Sequence, residues 1–218
     1  MKTLHLIERG FTPIYEQLIL EEQLLRADTR NICLINYGST PAIVMGISGK
    51  KENAPLPLIK RFSGGGTVVV DENTIFITFI FNKIDVDIPA EPKAIMQWTE
   101  TLYSQVFPLF KLRDNDYVFG DRKFGGNAQY IKKDRWLHHT SFLWDYDPAR
   151  MEMLSMPEKM PAYRQGRGHL DFITPLKEHF THKEAIGESL KKVLHQYFKV
   201  LPYKEIPLPP SRQSTTFI

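Results

Sequence analysis

The chain is poor in cysteine. Cys33 is the one thiol in 218 residues, so no intramolecular disulfide forms, and its place in the apolar run ICLINY gives it the role of a small hydrophobe in a strand. There is no run of about 18 apolar residues to span a bilayer, and the first residues, MKTLHLIERG, lack the apolar stretch and cleavage site of a secretory signal. These absences predict a cytoplasmic protein with no membrane partner. Charge of one sign is also scarce: 28 Lys and Arg against 25 Asp and Glu leave a net +3, too little for a nucleic-acid footprint. Glycine is sparse as well, 13 in the chain, which makes three in succession a feature to explain.

What is present, 42% hydrophobic and 24% charged residues, suits a globule with a real core. Thr12 and Pro13 read as N-cap and first helical position, and Ile14, Leu18 and Leu25 share one face of a helix running to about Ala27. On this reading the chain opens with that helix. NICLINY and AIVMGI follow as strands, then the polar, proline-broken SGKKENAPLP as a loop. TVVV and TIFITFIF, separated by DEN, predict a hairpin. Ile95, Trp98, Leu102 and Val106 predict a helix over 92–107. Short strands occupy the segment from Asn115 to Asp147. A capping box, Thr181 and Glu184, starts a last helix with a buried stripe of Ile186, Leu190, Val193 and Tyr197, and a Pro-rich tail ends it. There is neither an internal repeat nor a linker long enough to separate domains, so the reading is one domain over 1–218 with a tail over 200–218 and no accessory domain.

Two clusters carry chemistry. In KRFSGGG, the run Gly64, Gly65, Gly66 lets a ligand lie against bare backbone, whose amides form an anion-binding concavity. Arg61 adds a charged fork suited to carboxylate or phosphate, and Ser63 a hydroxyl. A glycine-rich turn is the plainer alternative. No Lys-Ser/Thr closes the run and a strand follows it, which excludes both the P-loop and the dinucleotide fingerprint. In GDRKFGGNAQ, Lys123 stands beside Gly125, Gly126, Asn127 and Ala128, a compact ammonium next to close-approach backbone, suited to a reacting acyl or phosphoryl oxygen. His138 and His139 point to opposite faces of a strand and so cannot chelate one ion together. One is expected to be buried and hydrogen-bonded, the other near the site. RQGRGH, Arg164 to His169, reads either as a substrate-facing loop or as a solvated charge run. Lys132, Lys133 and Arg135 read either as a patch for an acidic carrier or as solvated surface.

Taken together, KRFSGGGTVVVDEN, NDYVFGDRKFGGNAQYIKKDRWLHHTSFLWDYD, the helix EQLILEEQLLR and the strand PAIVMGISGKK resemble the lipoate-protein ligase A family over roughly residues 12–200. The resemblance implies an α/β (α+β) fold, a mixed sheet flanked by helices as in biotin ligases and class II aminoacyl-tRNA synthetases. It implies ATP with Mg2+ as the activating pair, lipoate as substrate and lipoyl-AMP as intermediate. The acceptor would be a lysine of a lipoyl carrier domain, of 2-oxoacid dehydrogenase E2 or glycine-cleavage H protein. Lys123 matches the family lysine that contacts the acyl carbonyl and the adenylate phosphate. Arg61 and the segment Gly66, Thr67, Val68, Val69 match the nucleotide-binding stretch, and Asn115, Asp116, Asn127 and Ala128 fall in loops that line the pocket. Metal ligands are not assigned.

The sequence departs from the pattern at Val70, where the family commonly has histidine, in GGNA, and in ending after about one catalytic domain. The alternatives are an octanoyl- or lipoyl-transferase working without ATP through a cysteine thioester, and a lipoate- or carrier-binding half of a two-chain ligase that needs a separate accessory protein. No cysteine follows residue 33, which ranks the ligase first. RFSGGG does not match the GRGRRG run of biotin ligases.

Overall fold

Strict alternation along the β-type runs builds a sheet that is buried on both faces. In β2 (Ile32–Asn36), Ile32 and Leu34 enter one apolar cluster while Cys33 and Ile35 enter another, the period-two signature of a strand between two layers. The computed structural model describes residues 1–49, 55–157 and 159–218. Of the loop expected over Ser48–Pro57, residues 50–54 lie outside the described residues, as do Lys50 and Lys51 of the resembling strand segment.

Among the described residues there are twelve strands and five α-helices. In chain order they are β1 (Thr3–Arg9), α1 (Ile14–Ala27), β2 (Ile32–Asn36), β3 (Ala42–Met45), β4 (Leu58–Lys60), β5 (Val68–Val70), β6 (Thr74–Asn82), α2 (Pro92–Tyr103), β7 (Phe110–Arg113), β8 (Asp116–Phe119), β9 (Arg122–Ile131), β10 (Arg135–Leu143), α3 (Pro148–Met151), α4 (His169–Phe172), α5 (Glu184–Tyr197), β11 (Lys199–Pro202) and β12 (Thr216–Phe217). Eight form one mixed sheet, ordered β11-β1-β2-β6-β10-β9-β8-β7, and four form a second, ordered β12-β4-β3-β5. The architecture is the mixed sheet flanked by helices that the sequence leads one to expect.

One face of the large sheet carries α2 and α5 over an aromatic-rich cluster that includes Phe79, Phe81, Trp136, Phe142, Ile95 and Leu190. Fully burying each such side chain contributes about 1.5–3 kcal/mol. The other face is covered by α1 and the small sheet, through Leu18, Leu25, Val44, Ile59 and Leu137. The glycine run follows β4 and precedes β5, so the small sheet brings it to this second face.

Several local expectations are corrected. A strand, β1, precedes α1 and pairs in parallel with β2. Thr12 does not cap α1: its backbone is gripped at both ends by the Asn36 amide, and the Ser39 hydroxyl accepts the Ile14 N–H at 2.8 Å. TVVV and TIFITFIF are not paired, because β5 joins β3 in the small sheet while β6 joins β2 and β10 in the large one. Residues Leu58–Lys60, which follow the expected loop directly, form β4. No capping box forms at α5; Lys183 holds the N-cap position, its amine bonded to the Tyr37 and Glu72 carbonyls. Tyr197 is exposed, and Gln105 donates to its hydroxyl. The tail is not loose: β11 pairs with β1 and β12 with β4.

Candidate functional site

A β-bulge decides where Lys123 points. Tyr117 pairs with Gly125 and the next residue, Val118, with Lys123, so Phe124 is an extra residue on β9. Phe124 and Gly125 both face the aromatic core: Phe124 is fully buried, and a Cβ on Gly125 would stand 2.6 Å from the Phe142 ring. The extra residue turns Lys123 onto the opposite face, where its Nζ would lie 3.1 Å from a Cβ on Gly126. Bulges re-aim side chains in this way beside functional sites. Lys123 Nζ pairs with Asp116 Oδ1 at 2.6 Å, and the Tyr163 hydroxyl donates to Asp116 Oδ2 at 2.7 Å. Burial, then the Asp116 charge, raises the Tyr163 phenol well above its ordinary pKa, so that hydroxyl stays a donor.

The glycine run meets the same strand. Gly65 has φ +99°, and a Cβ there would lie 3.4 Å from the Ala128 Cβ and 3.8 Å from the Asn127 carbonyl. Asn127 in turn donates to the Asn115 carbonyl at 2.6 Å. The run and the Lys123 strand therefore share one face of the sheet. Only the middle glycine is demanded by the protein itself: Gly64 and Gly66 would meet nothing within 4 Å, which leaves open space beside them. Gly46 is tied to this turn, since a Cβ on it would collide with the Gly65 carbonyl. Thr67 and Val68 are partly buried, and Val69 and Val70 are fully so, with Val70 in the core between the two sheets.

Arg61 is turned inward. Its guanidinium donates to the Gly64 carbonyl at 2.6 Å, the Gly66 carbonyl at 2.9 Å and Ser63 Oγ at 3.1 Å. With these bonds it holds the loop's carbonyls on one side. Burial pushes its pKa down to about 10, against the pull of Glu21, so it remains cationic at neutral pH.

The two histidines divide as expected. His138 is completely buried, its Nε2 facing the Tyr117 hydroxyl at 3.0 Å and Thr140 Oγ1 at 3.1 Å. Burial, and secondarily the charge of His139, pushes its pKa down to about 3. His139 faces the other way, between Ser63 Oγ at 2.9 Å and Glu21 Oε2 at 2.8 Å. Glu21 was not anticipated. Its signal is present in the α1 pattern, since Ile14, Leu18 and Leu25 make an apolar stripe whose missing member, one turn before Leu25, is Glu21. Tyr163 was also missed, because it lies in a loop segment without periodicity.

RQGRGH fits neither reading of that loop simply. Arg164 is buried with its guanidinium over the Phe172 ring, and Arg167 pairs with Asp121. Arg135 is buried too and donates to the Asp28 and Arg30 carbonyls at the end of α1, so it does not belong to a surface patch. Among the described residues no group of three His, Cys, Asp or Glu side chains is placed to hold a metal ion, and no helix is long and apolar enough to cross a membrane.

The model of the lipoyl protein ligase A/B catalytic domain matches residues 13–199. Inactive lipoate–protein ligase 2 of Plasmodium falciparum is 26% identical over 246 residues, covering 80% of this chain and 63% of that protein, so the chain spans less than two thirds of this relative. Among solved structures, the bi-partite lipoate protein ligase of Thermoplasma acidophilum superposes with a TM-score of 0.72 at 13% identity, over 94% of this chain and 87% of that one. A lipoate-protein ligase A bound with ATP gives 0.69 at 15% identity, over 94% and 88%. At such identities these structures speak for the fold alone. The match of the family model over most of the sequence, on a fold of the same kind, makes this chain a member of the lipoyl protein ligase A/B catalytic domain family.

Proposed function

We propose that the chain is an ATP-dependent lipoate-protein ligase, a single catalytic domain over 1–218. It joins lipoate to AMP with release of pyrophosphate, then passes the lipoyl group to a lysine of a lipoyl carrier domain. The observation that carries this reading is the shared sheet face: the bulge turns the Lys123 ammonium to the side on which Gly65 rests against Asn127 and Ala128. An acyl-adenylate needs both halves, donors for its phosphate and a cation for its carbonyl. Support for ATP comes from the fold shared with a ligase crystallised with ATP.

In the first step the lipoate carboxylate attacks the α-phosphorus and pyrophosphate leaves. In the second, a neutral lysine amine attacks the carbonyl carbon, charge grows on the carbonyl oxygen, and AMP departs with the former carboxylate oxygen. An ammonium fixed beside that oxygen stabilises the transition state by about 3 kcal/mol. For Lys123 to serve, its bond to Asp116 must open or be shared with the incoming oxygen. Among the described residues the carboxylate beside Lys123 is Asp116, and both its oxygens are engaged by Lys123 and Tyr163, so the donor set there does not fit a resident magnesium ion.

A transferase with a cysteine acyl-enzyme is disfavoured. Cys33 is fully buried in the aromatic core, and burial raises its thiol pKa, so it is neither reachable nor nucleophilic. The two-chain reading keeps a specific support, the resemblance to a bi-partite ligase together with the relative whose name calls it inactive. Incubation with ATP, magnesium and lipoate, followed by mass analysis of the small molecules and of a panel of carrier domains, tests both. Lipoyl-adenylate and a lipoylated carrier are expected. Transfer from added lipoyl-adenylate, with none made from ATP, would favour the two-chain version.

A further inference from the structure

Behind Ser63 runs a line of hydrogen bonds whose direction is fixed at both ends. It begins at Arg61, which can only donate, and its Nε points at Ser63 Oγ. The Ser63 hydrogen is then free for His139 Nε2 at 2.9 Å, which must be the bare nitrogen of the ring. Nδ1 carries the hydrogen and donates to Glu21 Oε2 at 2.8 Å. Glu21 Oε1, the far end, takes the Gln17 amide at 2.7 Å and the Thr78 hydroxyl at 2.6 Å. Glu21, Ser63 and Thr78 are all 0% exposed, and the His139 side chain is 13% exposed. His139 pairs across the sheet with Ala128, the residue on which Gly65 rests. The line therefore ties the glycine loop to α1 directly above the strand that carries Lys123.

Neither His139 nor Glu21 enters the steps derived above. We propose that they are positioning residues for the adenylate site: acting through Ser63, with the His139 hydrogen on Nδ1, they hold the glycine loop in its ligand-receiving place. This rests on the reading that the loop receives the nucleotide. The charged group in contact with His139 is Glu21 from α1; Arg61 from the loop reaches it through Ser63, His138 on its own strand points to the other face, and the Phe62 ring lies 6.3 Å away.

The test combines nuclear magnetic resonance of the nitrogen-labelled chain with calorimetry, using ATP and a non-hydrolysable lipoyl-adenylate analogue as probes. The His139 ring should report hydrogen on Nδ1, and the Gly64 to Gly66 amide resonances should move in His139→Gln and in the isosteric Glu21→Gln. Both variants should bind the probes about tenfold more weakly, raising KM for ATP more than they lower kcat. Hydrogen on Nε2, loop amides unmoved in both variants, or wild-type binding in both would overturn the proposal. So would a lipoyl ester on Ser63, which would make that hydroxyl a nucleophile. If the wild type binds neither probe, the ligase reading fails, and the resonance data alone then decide the positioning role.

Discussion

Acidification from about pH 7 to about pH 5 should destabilise the protein through His138, by an amount the structure sets. The buried ring has hydrogen-bonding neighbours in Tyr117, Thr140 and Gln129, none of them a carboxylate. Its folded-state pKa is about 3, against about 6.5 in an unfolded chain. A depressed folded value means that the unfolded chain binds the extra proton. Stability from this group is thus complete above about pH 6.5 and is lost progressively as the pH falls toward 3. Linkage gives about 1.4 kcal/mol per pH unit well inside that window, and about 2 kcal/mol between pH 7 and pH 5. Urea unfolding of the wild type and of His138→Gln at both pH values measures it as a double difference, which cancels the other titrating groups. The variant should be less stable at pH 7 yet lose about 2 kcal/mol less on acidification. An equal loss in both proteins, to within about 0.5 kcal/mol, would refute the assignment of a neutral buried imidazole.

Lys123→Ala and Lys123→Arg should each abolish lipoate-dependent pyrophosphate exchange in protein that still folds, as circular dichroism would show; near-normal exchange in either removes the ammonium from the reaction. Gly65→Ala should cost about 1–2 kcal/mol, because φ +99° disfavours an L side chain and the new methyl would stand 2.7 Å from Arg61 Nη2. Gly64→Ala should cost little stability, since its methyl meets nothing within 4 Å, and on the proposed function it should weaken ATP binding in calorimetry. Glu22→Ala should cost about 1–3 kcal/mol in urea unfolding, since this fully buried carboxylate accepts the backbone N–H groups of Ser214 and Thr215, which would lose their acceptor.

Where structure follows from local period, the sequence was readable. The Ile95, Trp98, Leu102, Val106 spacing located α2, although the helix ends at Tyr103, short of Val106, and the opposition of His138 and His139 followed from strand alternation alone. What failed was decided by distant partners. The turn DEN looked like a hairpin, but β3 claims β5 and β2 claims β6, a choice no short window contains. The Thr181–Glu184 pattern lost to Lys183, whose amine is drawn to the Tyr37 and Glu72 carbonyls. The site was half legible: the glycine run and Lys123 stand out by composition, and the bulge that puts them on one face is invisible, because Phe124 looks like any core aromatic. Arg61 reads as a ligand-facing fork, whereas its donors are taken by the loop's own carbonyls. Glu21 hid among helix-surface glutamates until the gap in its apolar stripe was filled by a buried carboxylate.

The last strand has a mechanical meaning. β12 lies along β4, with Thr216 opposite Lys60 and Phe217 stacked on Tyr15, and Lys60 is the immediate neighbour of Arg61. Any load applied to that strand, whether from a tether, a fused module or a docked companion, would peel β12 from β4, next to the guanidinium that braces the glycines, and unstack Phe217 from Tyr15. That strand is thus a handle on the glycine loop.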